Sequence, residues 1–275
     1  MPTINLELVN RFFSVAPSAA LIPGELTFSC NVCGTSNKRK ASSIERESGD
    51  CRECGSTVRF RSLAATLTKR LYEKVVVLDD IKANQGIVGI GMSDARCYSS
   101  RLKSKFDYTN TFYHCEPLLD ITNPSDNWIG ANDFVITSDV FEHVAPPVQL
   151  AFDNLYSMLK PGGFVVFSVP FTLENDSREH YPNLYKFSIH KDSKNTWVLN
   201  NTTVDGQSEE FRNLVFHGGP GTTLEMRLFS LSALRNHFNR AGFVDFQVHN
   251  EAIFEHGIFW LTPWSITISA LRPKG

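Results

Sequence analysis

The sequence predicts an α/β fold with a mostly parallel sheet whose carboxyl edge carries glycines and acidic residues. Gly86–Ile90 is a short apolar run that ends near two glycines, Gly89 and Gly91, where a strand can turn and its backbone can approach a ligand. Glu116 follows the next strand candidate, where a carboxylate can accept hydrogen bonds from ribose hydroxyls. A third buried strand, Asp133–Thr137, comes before a polar loop. Polar groups in that loop emerge where open α/β sheets bind ligands.

Further segments follow the same pattern. The residues from Val148 to Leu159 predict a helix, and those from Gly163 to Pro170 are nearly all apolar, as in a strand buried on both faces. Leu231–Ala241 is an amphipathic helix candidate before Gly242, and Phe243–His249 and Trp264–Leu271 are strand candidates. A strand at Val75–Leu78 is also expected. These segments together support a single large sheet.

Two runs resemble those of the class I S-adenosylmethionine-dependent methyltransferases. Asp139-Val140-Phe141-Glu142-His143-Val144 is similar to the D-V-L-E-H-V run after the family's fourth strand, and Leu159-Lys160-Pro161-Gly162-Gly163 resembles its L-K-P-G-G turn. The resemblance implies a Rossmann-like, mostly parallel seven-stranded methyltransferase sheet and S-adenosyl-L-methionine as cofactor. The glycine run departs from the family's G-x-G-x-G, since Met92 and Ser93 stand where further small residues are more common.

The resemblance implies a set of cofactor-binding residues at the carboxyl edge. Asp120 is similar to the family's acidic residue that faces the adenine amino group. The helix start after the glycine turn is expected to lie near the cofactor's carboxylate, because helix N-termini favour anions. The expected cofactor-binding residues are Gly89, Gly91, Met92, Ser93, Glu116, Asp120, Asp139 and Phe141.

Four cysteines form two C-x-x-C-G knuckles, Cys30–Gly34 and Cys51–Gly55, with 17 residues between Cys33 and Cys51. This spacing is typical of structural zinc sites, in which four thiolates surround one tetrahedral cation. A redox pair or a chance arrangement are the alternatives, and disulfides fit a cytosolic protein poorly. The predicted metal ligands are Cys30, Cys33, Cys51 and Cys54. A closed site of this kind predicts structural Zn²⁺, and Cys97 and Cys115 are expected to be ordinary buried thiols.

Residues around the second knuckle narrow the resemblance. The run Cys54-Gly55-Ser56-Thr57-Val58-Arg59-Phe60-Arg61 is similar to the C-G-S-x-x-R-x-R run of bacterial methyltransferases with an amino-terminal zinc ribbon. Leucines at helical spacing predict a helix from Val58 to Tyr72. The expected domains are therefore an N-terminal lead-in with a zinc ribbon at 1–58 and a methyltransferase domain at 59–275. An apolar stripe between Leu6 and Phe13 predicts an N-terminal helix in the lead-in.

Between the fifth strand and the next helix, residues 171–230 are rich in loops and polar aromatic residues, which indicates a substrate cap. Alternation around Asp205-Gly206 predicts a β-hairpin within it. Methyl transfer to a hydroxyl is helped by a base, and imidazole titrates near neutral pH. The candidate catalytic residues are His143, His180 and His217; hydrogen bonding that orients the loop is an alternative role for His143.

Composition limits the choice of partners. The chain has 275 residues, a formal net charge of -2 and a pI near 6.4, which disfavours a surface built for nucleic acid. No apolar stretch approaches the roughly 20 residues of a membrane-spanning helix, so a cytoplasmic enzyme is expected. The resemblance to the zinc-ribbon subgroup, whose members commonly lie near sugar and glycan genes, implies a small-molecule or glycan acceptor with a sugar or glycan hydroxyl as one choice; the sequence identifies neither the acceptor nor the oligomeric state. The alternatives are a nicotinamide enzyme, a non-catalytic interaction protein with a degenerate cofactor site, and an RNA methyltransferase.

Overall fold

The computed structural model of the chain describes residues 24–275. The helix expected near Leu6–Phe13 lies outside the described residues. In chain order the strands and helices are β1 (Glu25–Ser29), β2 (Ser36–Lys40), α1 (Val58–Tyr72), β3 (Asn84–Met92), α2 (Arg96–Lys105), β4 (Phe106–Thr111), β5 (Asn132–Ser138), α3 (Gln149–Met158), β6 (Leu159–Ser168), β7 (Phe171–Thr172), β8 (Arg178–Glu179), β9 (Lys186–Lys191), β10 (Trp197–Thr202), β11 (Ser208–Phe211), β12 (Phe216–His217), β13 (Thr223–Leu224), β14 (Arg227–Ser230), α4 (Leu231–Ala241), β15 (Val244–Val248) and β16 (Ile268–Leu271).

The main sheet has six strands in the order β15-β16-β6-β5-β3-β4. The strands β6, β5, β3 and β4 are parallel, and β16 and β15 close the sheet in antiparallel pairing. The Rossmann-like, mostly parallel fold is thereby confirmed. None of the helices between residues 24 and 275 is both long and apolar enough to cross a membrane.

Among residues 24–275 the main sheet has six strands and not the expected seven. Residues 112–131, between β4 and β5, hold only an isolated bridge from Phe112 to Leu118 and a 3₁₀ turn at Asp126–Trp128. A further parallel strand would need two crossover connections, each of a dozen residues or more. The segment, which also contains Pro117 and Pro124, is too short for both.

The strand expected at Val75–Leu78 is also absent from the described part of the chain. A 3₁₀ turn spans Leu78–Asp80. The backbone N–H of Leu78 donates to the carbonyl of Asn31, 2.9 Å away, in the first cysteine knuckle. This stretch therefore fastens the cysteine-rich segment to the body of the protein instead of joining the sheet.

The cysteine-rich segment shares a hydrophobic core with the sheet. Cys30, Val32 and Cys51 belong to one buried cluster with Leu63 of α1 and Phe106 of β4. The segment is thus packed directly on the α1 side of the sheet.

Residues 171–230 form small sheets of their own. The strands β10 and β11 pair in the expected hairpin, whose turn contains Gly206 at φ 84°, and β9 adds a third strand at the edge. A separate buried cluster includes Tyr181, Leu199 and Met226. The N–H of Met226 donates to the carbonyl of Glu142, 2.7 Å away, which connects this region to the loop after β5.

Candidate functional site

The ends of four parallel strands meet at one edge of the main sheet. Met92, at the end of β3, is paired in register with Thr111 of β4 and Thr137 of β5. Ser93 then takes a left-handed conformation with φ 59°, and its N–H donates to the carbonyl of Thr111, 2.7 Å away. Ser93 is exposed and Met92 is buried. The chain therefore turns sharply at the position that the sequence indicated, although Ser93 is not a glycine.

Both glycines of the run are required by packing within the fold. A Cβ on Gly89 would collide with the ring of Phe134, and one on Gly91 would collide with the Tyr108 hydroxyl and the Asp94 carboxylate. The sequence predicts that the backbone at these glycines approaches the cofactor. Their Cβ positions face neighbouring side chains, so a Gly91→Val substitution would disturb the packing of the fold.

Asp94 is a buried acid beneath this turn. Its carboxylate accepts a hydrogen bond from the hydroxyl of Tyr108, and its backbone N–H donates to Asn110 Oδ1, 2.8 Å away. Burial raises the pKa of Asp94 to about 7, because desolvation outweighs the hydrogen bonds that favour the anion. No local pattern around Asp94 indicates that its carboxylate is buried.

The two acids expected to hold the nucleoside lie in the segment after β4. Glu116 is exposed, and its Oε2 accepts from the N–H of Leu118, 2.9 Å away. The Oδ1 atom of Asp120 accepts from the backbone N–H and the hydroxyl of Thr122, at 2.9 and 2.7 Å. Each carboxylate is thus oriented by the turn that carries it.

Asp139 directly follows β5 and has φ 55°. Its carboxylate binds two arginines from the cysteine-rich side of the molecule: Arg46 Nη2 lies 2.6 Å from Oδ1, and Arg59 Nη1 lies 3.0 Å from Oδ2. Arg59 also donates to the hydroxyl of Ser138, 3.1 Å away. The sequence missed both arginines as neighbours of the sheet edge.

Phe141 was expected to contact the cofactor, but its side chain lies in the core. It is fully buried, and its ring centroid lies 4.8 Å from that of Phe152 and 5.1 Å from that of Phe167. Phe141 thereby anchors the loop after β5. Only the backbone at this position remains for a ligand.

Two of the three candidate histidines lie together, around Glu142. The rings of His143 and His217 have centroids 5.3 Å apart. Glu142 Oε1 lies 3.7 Å from His143 Nε2 and 3.6 Å from His217 Nδ1. We call Glu142, His143 and His217 the carboxylate-histidine cluster. Glu142 was present in the quoted motif, but the sequence did not indicate that its side chain would meet a residue of β12.

The electrostatics of the cluster follow from burial. The Glu142 side chain is 0% exposed, and burial raises the pKa of its carboxyl. The neighbouring Glu142 carboxylate raises the pKa of His217, whose side chain is 43% exposed. His217 is therefore the member of the cluster that a molecule from solution can reach.

The third candidate histidine, His180, forms a separate pair. Its Nε2 lies 2.9 Å from Glu225 Oε1, and its backbone N–H donates to the carbonyl of Met226, 2.8 Å away. Among residues 24–275, no contact joins the His180 side chain to the carboxylate-histidine cluster.

The four knuckle cysteines converge as expected. Their sulfur atoms all lie within 4.8 Å of one another, with Cys30–Cys54 at 3.7 Å and Cys33–Cys51 at 3.5 Å. Tetrahedral coordination with Zn–S bonds of ~2.3 Å places sulfurs roughly 3.7 Å apart. The donor set therefore fits a closed four-thiolate site, which we call the cysteine site.

The two knuckles have the same local geometry. Gly34 and Gly55 have φ values of 75° and 69°, and their N–H groups donate to the carbonyls of Cys30 and Cys51 at 2.7 and 2.9 Å. A left-handed conformation is easily adopted by glycine, which explains the C-x-x-C-G pattern. Cys97 is partly buried and Cys115 is exposed, so the expectation that Cys115 is buried is wrong.

Polar groups surround the cysteine sulfurs. The Ser56 hydroxyl lies 3.1 Å from Cys30 Sγ, and Asn37 Nδ2 donates to Cys51 Sγ, 3.4 Å away. Arg61 is fully buried and donates to the carbonyls of Ser56 and Gly257, the latter 3.0 Å away. In the R-x-R run, Arg61 thus supports the cysteine site, whereas Arg59 extends to the sheet edge.

A family model described as a methyltransferase domain matches residues 112–248. No curated protein matches the chain.

The solved structures that match include three with low sequence identity. A 1,6-didemethyltoxoflavin-N1-methyltransferase from Burkholderia thailandensis is 13% identical, with 78% of this chain and 77% of that chain covered and a TM-score of 0.43. An S-adenosylmethionine-dependent methyltransferase from Mesorhizobium loti is 12% identical, with 80% and 100% covered and a TM-score of 0.40. An amino pentose methyltransferase from Micromonospora echinaspora is 11% identical, with 79% and 92% covered and a TM-score of 0.43.

The family match begins directly after β4 and ends at the last residue of β15, so it includes β5, β6 and the loop after β5, whereas β3 and β4 lie before it. In the same stretch lie the Asp139–Val144 run and the carboxylate-histidine cluster. The chain therefore contains a methyltransferase domain, at residues 112–248.

Proposed function

We propose that the protein transfers the methyl group of S-adenosylmethionine to a hydroxyl oxygen of a sugar or glycan held between the sheet edge and residues 171–230. The observation that carries the proposal is the carboxylate-histidine cluster. It joins the loop after β5, on the cofactor side, to β12, on the side of residues 171–230. We assign these residues, 171–230, the role of a substrate cap.

A hydroxyl acceptor requires a group that promotes loss of its proton. In the transfer, the acceptor oxygen forms a bond to the methyl carbon while the bond from that carbon to sulfur breaks. S-adenosylhomocysteine leaves, and the hydroxyl proton passes to the solvent. An alcohol is a poor nucleophile until it begins to lose that proton, so groups that favour the alkoxide accelerate the reaction. Glu142, His143 and His217 are the groups suited to that task.

The remaining acceleration comes from positioning. A methyl transfer is an in-line displacement, and alignment of the reacting atoms with exclusion of water accounts for much of the rate. The cap offers polar side chains near the cluster, including Glu225 paired with His180. An acceptor with several hydroxyls, such as a sugar, could form hydrogen bonds with several of these side chains.

For the cofactor, we propose that its ribose hydroxyls bind Glu116 and its adenine lies near Asp120. The backbone from Gly89 to Ser93 and at Phe141 would line the same site, next to Asp139. Asp139 is already neutralised by Arg46 and Arg59. This pairing keeps the sheet edge from presenting an uncompensated negative charge to a cofactor that carries its own carboxylate.

For the cysteine site, we propose structural Zn²⁺ held by Cys30, Cys33, Cys51 and Cys54. Four thiolates leave no open coordination position, so the cation would stabilise the fold and take no part in methyl transfer. Residues 1–58 would then form the zinc ribbon and residues 59–275 the methyltransferase domain.

The experiment uses S-adenosylmethionine with a labelled methyl group. The purified protein is incubated with nucleotide sugars, free glycans and, for comparison, amine acceptors of similar size. We expect label in a hydroxylated acceptor as a base-stable methyl ether, identified by NMR. Label transferred only to nitrogen or to RNA would contradict the proposal.

A further inference from the structure

Glu142 is a buried acid in the loop after β5. Its side chain is 0% exposed, and neither Oε1 nor Oε2 has a hydrogen-bond partner among residues 24–275. An isolated buried carboxylate is costly, and native proteins normally pair such a group or bind it to a metal. Asp94, by comparison, is buried with the Tyr108 hydroxyl on its carboxylate. The carboxylate of Glu142 is therefore expected to bind a hydrogen-bond donor or a cation.

The neighbouring imidazoles do not supply the missing donor. His143 Nδ1 lies 2.8 Å from the carbonyl oxygen of Leu224. A carbonyl only accepts, so the ring proton of neutral His143 is on Nδ1 and the lone pair of Nε2 faces Glu142. The two contacts to Glu142 Oε1, from His143 Nε2 at 3.7 Å and His217 Nδ1 at 3.6 Å, are both longer than hydrogen bonds.

Three potential ligand atoms thus converge with space between them. One carboxylate oxygen and two imidazole nitrogens lie within 4.8 Å of one another. Ligands at bonds of ~2.1 Å around one tetrahedral centre stand roughly 3.4 Å apart, close to the two distances to Glu142 Oε1. A ligand histidine whose other ring nitrogen donates to a backbone carbonyl is the usual arrangement around a metal, and His143 has it through Leu224.

We propose that Glu142 Oε1, His143 Nε2 and His217 Nδ1 bind a divalent first-row transition-metal cation, distinct from the cation of the cysteine site. Two imidazoles and a carboxylate suit Zn²⁺, Fe²⁺, Co²⁺ or Mn²⁺ and leave coordination positions open. The open side is toward His217, whose side chain is 43% exposed. The cysteine site, with four sulfur ligands, has no such opening.

Its role rests on the proposed function. A hydroxyl oxygen at an open coordination position loses its proton more readily, since a bound cation stabilises the alkoxide. That proton goes to water, and the alkoxide takes the methyl group. The cation site would thereby select acceptors with an oxygen able to coordinate, for example one hydroxyl of a sugar diol.

The test is equilibrium dialysis of the purified protein against cobalt(II) chloride. Metal already bound at the cysteine site is not removed beforehand. Bound cobalt, zinc and protein are quantified by elemental analysis. Cobalt(II) accepts imidazole and carboxylate ligands. We expect one saturable cobalt per chain without loss of zinc, and at least tenfold weaker binding in His217→Ala and Glu142→Gln. His190→Ala, which removes an exposed histidine of β9, is the matched control and should bind as the parent does.

Absence of saturable cobalt binding, or equal binding in the parent and both cluster variants, would overturn the inference. Circular dichroism of each variant distinguishes lost ligands from lost folding. The two proposals fail separately. Cobalt binding without methyl transfer to any hydroxyl would refute the proposed function and leave the cation site, whereas hydroxyl methylation in a protein that binds no cobalt would do the reverse.

Discussion

The cysteine site and the carboxylate-histidine cluster are both convergent groups of metal-ligand residues, but they differ in how they are built. The cysteine site comes from two matching knuckles and is supported by Ser56, Asn37 and Arg61. The cluster joins a loop at the sheet edge to a distant strand, and its carboxylate has no hydrogen bond among the described residues. Four sulfurs held by hydrogen bonds in a closed site stabilise a fold, whereas a carboxylate without a hydrogen bond in a partly open site is available for reaction.

The comparison predicts its largest effect on stability at the cysteine site. Cys51→Ser should lose the bound zinc and on the order of 5 kcal/mol or more of folding free energy, because binding of structural zinc contributes roughly 10 kcal/mol in small zinc modules. Zinc content and denaturant unfolding measure both quantities. Cys115→Ser is the control, since Cys115 is exposed and outside the site. Full stability without zinc in Cys51→Ser would show that the site does not support the fold.

The cluster should respond in the opposite way. Glu142→Gln keeps the side-chain shape but removes the buried charge, so methyl transfer to the acceptor found in the labelling experiment should fall about 100-fold. Its unfolding free energy should stay within about 1 kcal/mol of the parent or rise, because an unpaired buried charge is lost. Initial rates and urea denaturation test the pair of expectations. A large loss of stability in this variant would mean that the two sites have the same role.

Asp94 sharpens the comparison, because it is a buried carboxylate that has a hydroxyl partner. Its pKa in the folded protein is about 7, above the ordinary value of 3.8, so folding favours the protonated form. The contribution of Asp94 to the unfolding free energy is therefore fully present below its ordinary pKa and is lost as the pH rises through 7.

Between pH 5 and pH 8 this group should therefore cost the parent protein about 3 kcal/mol of unfolding free energy. Asp94→Asn should lack that decrease, as urea denaturation at the two pH values would reveal. An equal decrease in parent and variant would indicate that Asp94 is ionised throughout this range.

The smallest effect is expected at the contact between the two regions. Arg46 extends from the cysteine-rich segment to Asp139 beside the cluster. A double-mutant cycle of Arg46→Ala and Asp139→Asn should give a coupling of about 1 to 2 kcal/mol in unfolding free energy, as expected for a largely buried ion pair. Arg52→Ala, at an exposed arginine of the same segment, should show no coupling with Asp139→Asn. Coupling near zero for Arg46 would mean that the regions are energetically independent.

Local patterns in the sequence predicted much of the molecule. The helices Val58–Tyr72 and Leu231–Ala241 have the expected bounds, because leucine spacing in the first and the closing Gly242 in the second are signals within one element. The cysteine knuckles were found for the same reason, since each is complete within five residues. The Asp139–Val144 run and the Leu159–Gly163 turn indicated the family from short segments.

Features that depend on distant parts of the chain could not be predicted. Arg46 and Asp139 are 93 positions apart, and nothing near either residue indicates their ion pair. Likewise, His217 of β12 meets Glu142 only because residues 171–230 pack against the loop after β5. The expectation of a seventh strand came from the resemblance to the family. The 112–131 connection is too short to hold that strand. Sequence patterns report on periodicity within an element, whereas these contacts depend on how elements pack.

The most direct test of the account is calorimetric titration of the purified protein with S-adenosylhomocysteine, with a nicotinamide dinucleotide as control. The account predicts saturable binding of one S-adenosylhomocysteine per chain and no binding of the dinucleotide. Absence of S-adenosylhomocysteine binding in a folded, zinc-loaded sample would contradict it and favour a non-catalytic interaction protein.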